Sequence, residues 1–171
     1  VGRSPHMDRL DVDLSGIPRE GFIIRTVGKA LVLYGDDSPN FGPMEEAYSD
    51  VFGPTETGYQ DRNIRTGTLF AVYDFLQDIL GVRWLWPGPT GEYIPRRATV
   101  RVGPLDIHEE PFLIRRHFRL VFDKPWMKVA ERLFDTYNFP EMNWRERQWY
   151  RRMRMGRSVR PPHGHSFTDW W

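Results

Sequence analysis

Apolar and polar positions change period several times along the chain, and each change predicts an element. Phe22-Ile-Ile-Arg-Thr-Val27 and Ala30-Leu-Val-Leu-Tyr34 are β-branched and aliphatic runs separated by Gly28-Lys29. Two strand-like runs with a two-residue, glycine-first connection predict a hairpin with a type II′ turn. Further on, Leu69, Val72, Tyr73, Leu76, Ile79 and Leu80 recur at the i, i+3, i+4, i+7 spacing of a core-facing helix. Thr66 or Thr68 stands where a cap belongs, and Gly81 where the left-handed C′ residue belongs. Val82-Arg-Trp-Leu-Trp86 then predicts a short buried strand. Pro87 to Gly91 predicts a turn, and Glu92-Tyr-Ile-Pro95 another extended piece. Ala98-Thr-Val-Arg-Val102 alternates at period two, the pattern of a half-buried strand. Near the start, Ser4 and Pro5 read as N-cap and first helical residue, with Met7 and Leu10 facing inward.

Two stretches break the pattern. Residues 36–65 are rich in Gly, Pro, Asp and Glu without any period, and so read as a surface insertion. Residues 103–111 carry Gly, two Pro and three acids and read as a linker. A new pattern starts beyond it. Phe112–Phe122 is strand-like, and Trp126, Val129, Ala130, Leu133, Phe134 and Tyr137 make an amphipathic stripe after Pro125. Asn143 with Glu146 makes a capping box ahead of a helix expected to end at Gly156. The expected division is therefore a first α/β domain over 1–105, incomplete at its N-terminus, and the opening elements of a second over 106–171. Strand, helix, connection and helix is how a barrel or doubly wound domain begins.

Composition narrows the class. Apolar residues are 40% and charged residues 27% of the 171, which excludes a disordered chain. No apolar run is long enough to span a bilayer. The absence of Cys excludes disulfides and cysteine chemistry, and fits a cytoplasmic chain as well as a secreted one. Seven Trp supply core area or flat faces for sugar rings. Net charge is +1, yet seven Arg between 145 and 160 face a single acid, Glu146. Interleaved with Trp144, Trp149 and Tyr150, this cluster has the ingredients of a nucleic-acid surface. The near-neutral total and the lack of any surrounding nucleic-acid motif instead favour a solvated helix face or contact with an acidic partner.

The residues that could carry chemistry are sparse. Asp169 and Glu141 are acids without a recognisable paired setting. His163 and His165 have an H-x-H spacing but no third ligand. No cofactor or metal is expected, and no catalytic residue is assigned.

The segment Thr66 to Pro95 reads G-T-x-x-A-V-Y-D-F-L-x-x-x-L-G-V-R-W-x-x-P-G-x-x-G-E-x-I-P from Gly67 onward. It resembles the stretch that closes the small N-terminal α/β domain of large bacterial glycosidases of the alpha-glucuronidase and beta-hexosaminidase type. In that family the domain precedes a (β/α)8 catalytic barrel. The resemblance implies an α/β fold, hexosaminidase domain-2-like, followed by the truncated beginning of a barrel whose catalytic carboxylates are missing from this chain. It also implies a carbohydrate substrate, packing on a downstream barrel domain, no nucleic acid, no membrane, and a secreted or periplasmic location. Glu110-Pro-Phe-Leu-Ile-Arg-Arg116 is similar to the lead-in of the first barrel strand, where an Arg meets a sugar carboxylate. Gly164-His165-Ser-Phe resembles a loop at the sugar-binding end. Arg116, Trp144 and His165 are thus the expected substrate-binding residues. The competing expectations are a non-catalytic glycan-binding or interaction module and, further off, a nucleic-acid binder through Arg145–Arg160.

Overall fold

The computed structural model describes residues 1–38, 65–113, 115–116, 145 and 148–157. They form a small α/β arrangement. A 3-10 turn (Met7–Arg9) is followed by strands β1 (Phe22–Val27) and β2 (Ala30–Gly35), helix α1 (Gly67–Asp74), strands β3 (Arg83–Trp84), β4 (Glu92–Tyr93), β5 (Asp106–Glu109), β6 (Arg115–Arg116) and β7 (Gly156–Arg157). Residues 148–152 are helical.

The hairpin folds as the apolar runs predict. β1 and β2 pair antiparallel with Val27 opposite Ala30 and Phe22 opposite Gly35. Gly28 takes φ +59° and Lys29 stays out of the left-handed region, the pattern of a II′ rather than a I′ turn. The other edge of β1 pairs antiparallel with β5, giving the order β2-β1-β5. This corrects the linker reading of 103–111. Residues 106–109 are the third strand, so the sheet of the first unit extends past the boundary expected at 105. Ala98–Val102 forms no strand. β1 has two edges, β2 and β5 occupy both, and the side chains of 98–101 stay exposed.

Alternation along β1 sends its side chains to opposite faces. Phe22 and Ile24 pack with Leu33, Phe70 and Ala71 on the helix side. Ile23 packs with Val32 and Met7 on the other, beneath Leu10, Val12, Leu14 and Ile17. The helix thus covers one face of the sheet and the N-terminal segment the other. Ile24, Phe70 and Ala71 are almost completely buried, and burying one large apolar side chain contributes about 1.5–3 kcal/mol.

Helix α1 is buried on two sides, which corrects the single-stripe expectation. Phe70 and Ala71 face the sheet, while Leu69, Tyr73 and Leu76 join a third cluster with Val82, Trp84, Trp149 and Met153. Phe75–Ile79 continues α1 as a π-helical turn that ends with Leu80 N–H donating to the Phe75 carbonyl. Gly81 is left-handed at φ +77°, as its C′ position requires. The Arg83 guanidinium donates to the Gln77 carbonyl, an acceptor that the helix end leaves over, and to the Val82 carbonyl just beyond it.

The start of α1 is capped across the fold rather than locally. Thr66 makes no side-chain cap. Instead the Thr68 N–H donates to Asp37 Oδ1 at 2.9 Å, and the Thr68 hydroxyl accepts the Gly35 N–H at 3.0 Å. Ser38 and Arg65 bond each other through Ser38 N–H to the Arg65 carbonyl and Arg65 N–H to Ser38 Oγ, so the stretch between them leaves and rejoins at one point. The interior of the 36–65 insertion, the stripe 126–137, the Asn143–Glu146 capping box, Asp169 and Glu141 lie outside the described residues. The helix expected to end at Gly156 stops earlier. Arg154 turns left-handed at φ +56°, and Gly156 begins β7 against β6.

Candidate functional site: a cavity around Glu20 and Arg116

Pro18-Arg-Glu-Gly21 is a tight turn closed by Gly21 N–H donating to the Pro18 carbonyl at 2.8 Å. Its third residue, Glu20, has φ +57°, a backbone state in which glycine is ordinarily preferred. The turn aims Glu20 inward, leaving it only 2% exposed. Its N–H donates to Asp36 Oδ2, and the Arg65 Nε donates to that same oxygen at 2.6 Å.

Arg116 comes from the other half of the sequence. β6 pairs with β7, Arg116 opposite Gly156, and this fixes the backbone. The guanidinium then donates from Nε to the Arg154 carbonyl (2.8 Å), from Nη1 to the Leu113 carbonyl (2.8 Å) and from Nη2 to Glu20 Oε2 (3.2 Å). It also lies over the Phe70 ring, 5.9 Å from the centroid. Among the described residues, one N–H on each terminal nitrogen has no acceptor. A buried carboxylate with a hydrogen-bonded guanidinium is the arrangement under which such a charge tolerates desolvation.

Beside this pair is a cavity of about 290 Å³ lined by Glu20, Phe22, Phe70, Glu109, Glu110, Pro111, Arg116, Met153 and Arg154. The floor is apolar, from α1 and β1. The rim is charged. Arg154 is ion-paired with Asp74 on α1, and its burial lowers its pKa below the ordinary value. Among the described residues, Glu109 and Glu110 form no ion pair or side-chain hydrogen bond, and Glu20 Oε1 accepts none.

Of the expected substrate-binding residues, Arg116 lines this cavity, while Trp144 and His165 lie outside the described residues. Glu110, Pro111 and Arg116, which sequence placed in one short lead-in, do gather around one space. Sequence reasoning missed Glu20 and Arg154. A Glu before Gly in a Pro-Arg-Glu-Gly turn was a signal for the turn but not for burial. Arg154 sat in a cluster read as a solvated face. The structure corrects that reading at three positions. Arg151 is 2% exposed with Thr66 Oγ1 at 3.4 Å, Arg152 pairs with Glu92 and stacks on Trp84, and Arg154 pairs with Asp74. Trp149 points the same way, its Nε1–H donating to the Trp84 carbonyl at 2.8 Å.

Among the described residues, no cluster of three or more His, Asp or Glu side chains is placed to hold a metal, and no helix is long and apolar enough to cross a membrane. Comparison with protein-family profiles, curated proteins and solved structures returns no match.

Proposed function

We propose that this chain is the N-terminal accessory region of a carbohydrate-active glycoside hydrolase, acting on poly- or oligosaccharide and working outside the cytoplasm. In this reading the α/β unit is hexosaminidase domain-2-like, residues beyond it open a (β/α)8 barrel, and the catalytic carboxylates stand on later barrel strands. The observation that supports it most is the behaviour of Thr66–Pro95. Its motif residues act together, with Gly67 against Asp36 and Gly21, Gly81 as C′ and Gly91 folded tightly on Trp86. Trp84 is buried under Arg152 and Trp149 from the later part of the chain. An accessory unit that receives a following domain needs such an inward-facing seam. Arg116 serves here through Glu20, and Trp144 and His165 remain its candidate sugar contacts. The test is to assay the protein encoded by the complete reading frame against aryl glycosides and glucuronoxylan. Hydrolysis of one supports the reading. A frame that stops near Trp171 leaves no room for a barrel and overturns it.

A second reading, a glycan-binding or interaction module, draws on a different surface. Leu85, Trp86, Tyr93 and Ile94 of the β3–β4 hairpin are all more than half exposed. Where such side chains join into one apolar patch, that patch is the kind of surface that marks a contact site. Replacing Trp86 and Tyr93 together with Ala would abolish polysaccharide pull-down if this reading holds.

A further inference from the structure

The cavity beside Glu20 has a charge pattern of its own, independent of the hydrolase reading. Three carboxylates line it, and a fourth, Asp74, stands behind Arg154. Two guanidiniums oppose them. Arg116 has spent one N–H from each nitrogen on Arg154, Leu113 and Glu20, and Arg154 is turned to Asp74. The unspent capacity in the cavity is therefore mainly that of acceptors: Glu20 Oε1 and the carboxylates of Glu109 and Glu110. Glu20 matters most among them. It is 2% exposed, its turn holds it at φ +57°, and half of its carboxylate has no donor among the described residues. A buried carboxylate oxygen without a donor costs desolvation free energy that a bound donor restores, and a cationic donor restores more than a neutral one. The floor, Phe22, Phe70, Pro111 and Met153, offers apolar contact, and the Arg116 guanidinium carbon lies 5.9 Å from the Phe70 ring centroid.

We propose that this cavity is a binding site for a small organic cation, a primary ammonium on a compact apolar body. The ammonium bonds Glu20 Oε1, the Glu109 and Glu110 carboxylates at the rim add negative potential, and the body rests against the apolar floor. A volume of about 290 Å³ suits a ligand of one ring with a short arm, at the small end of the ligand-pocket range of about 300–1,000 Å³. Anions are disfavoured because the carboxylates outnumber the guanidiniums.

The probes are benzylammonium, benzyl alcohol and benzoate, which share a ring and differ in charge. Binding is read by ligand-observed NMR and by the shift in Tm of the 171-residue chain. Benzylammonium should bind about tenfold or more tighter than benzyl alcohol and benzoate should not bind, a difference well resolved by titration. Glu109→Gln with Glu110→Gln, whose side chains stand on the exposed rim and form no ion pair or hydrogen bond among the described residues, should weaken benzylammonium about tenfold while leaving the unliganded Tm unchanged. Glu20→Gln should weaken it at least as much. Equal binding of benzyl alcohol, a preference for benzoate, indifference to the rim substitutions, or no binding by any of the three would each overturn the proposal.

Discussion

Gly35, at the end of β2, and Gly67, at the start of α1, meet backbone to backbone. A Cβ on Gly35 would fall inside the van der Waals envelope of the Gly67 carbonyl carbon and 2.6 Å from the Thr68 nitrogen. A Cβ on Gly67 would lie 2.5 Å from the Gly21 carbonyl oxygen. Their neighbours are hydrogen-bonded main chain, with Asp36 N–H donating to the Gly21 carbonyl and Gly67 N–H donating to the Asp36 carbonyl. Nothing there can swing aside.

Gly67→Ala should therefore cost about 3 kcal/mol, the upper end of the overpacking range, because the obstructing atoms are main chain. Gly103→Ala is the control, since its Cβ would meet nothing within 4 Å. Urea unfolding followed by circular dichroism compares the two, and equal midpoints would refute the close approach.

Removing Arg116 strands a carboxylate that is 2% exposed. Arg116→Met should cost about 3–5 kcal/mol, whereas adding Glu20→Leu to it should recover a large part of the loss, since a buried pair is replaced by apolar volume. A double-mutant cycle measures the coupling. Additive losses would show that the two groups do not depend on each other.

Glu20 also allows backbone strain to be separated from charge. Glu20→Ala and Glu20→Gly both delete the carboxylate, but only Gly is at ease at φ +57°. Glu20→Gly should be the more stable of the two by about 1 kcal/mol. Chemical denaturation of the pair is sufficient, and the reverse order would contradict the left-handed assignment.

Asp106 has its pKa lowered, first by the hydrogen bond from Arg25 Nε at 2.7 Å. A carboxylate depressed on folding contributes stability above its unfolded pKa and loses it as pH falls through the folded one. Arg25→Gln should raise the Asp106 pKa toward the ordinary carboxylate range, visible as a shifted midpoint in a carboxyl-detected NMR titration. The effect on global stability should be small, because the pair is exposed to solvent.

The legible parts of the fold are those whose physics is local. The hairpin was readable because a two-residue connection with Gly28 leaves the strands little choice of register. The stop at Gly81 was readable because only glycine enters the left-handed state without cost. Ala98–Val102 was misread because alternation records that one face could be buried, not that a partner edge is free. Asp106–Glu109 was misread for the converse reason. A short charged strand on an exposed edge has no apolar signature, and pairing with β1 over some eighty residues of separation is what makes it a strand. The Arg cluster looked solvated because spacing counts charges without locating Asp74, Glu92 or Thr66.

Alone, the sequence determined the β1–β2 hairpin and the residue that ends the winding of α1. Each depends on the dihedral freedom of a few consecutive residues. It also brought Glu110, Pro111 and Arg116 forward as a group. Only the tertiary structure decided that Glu20 is buried opposite Arg116, 96 positions away, and that the pair shares a cavity with Glu109, Glu110 and an aromatic floor. Whether a charge is solvated or enclosed depends on which distant surfaces close over it, and that is a property of the assembled chain rather than of any window along it.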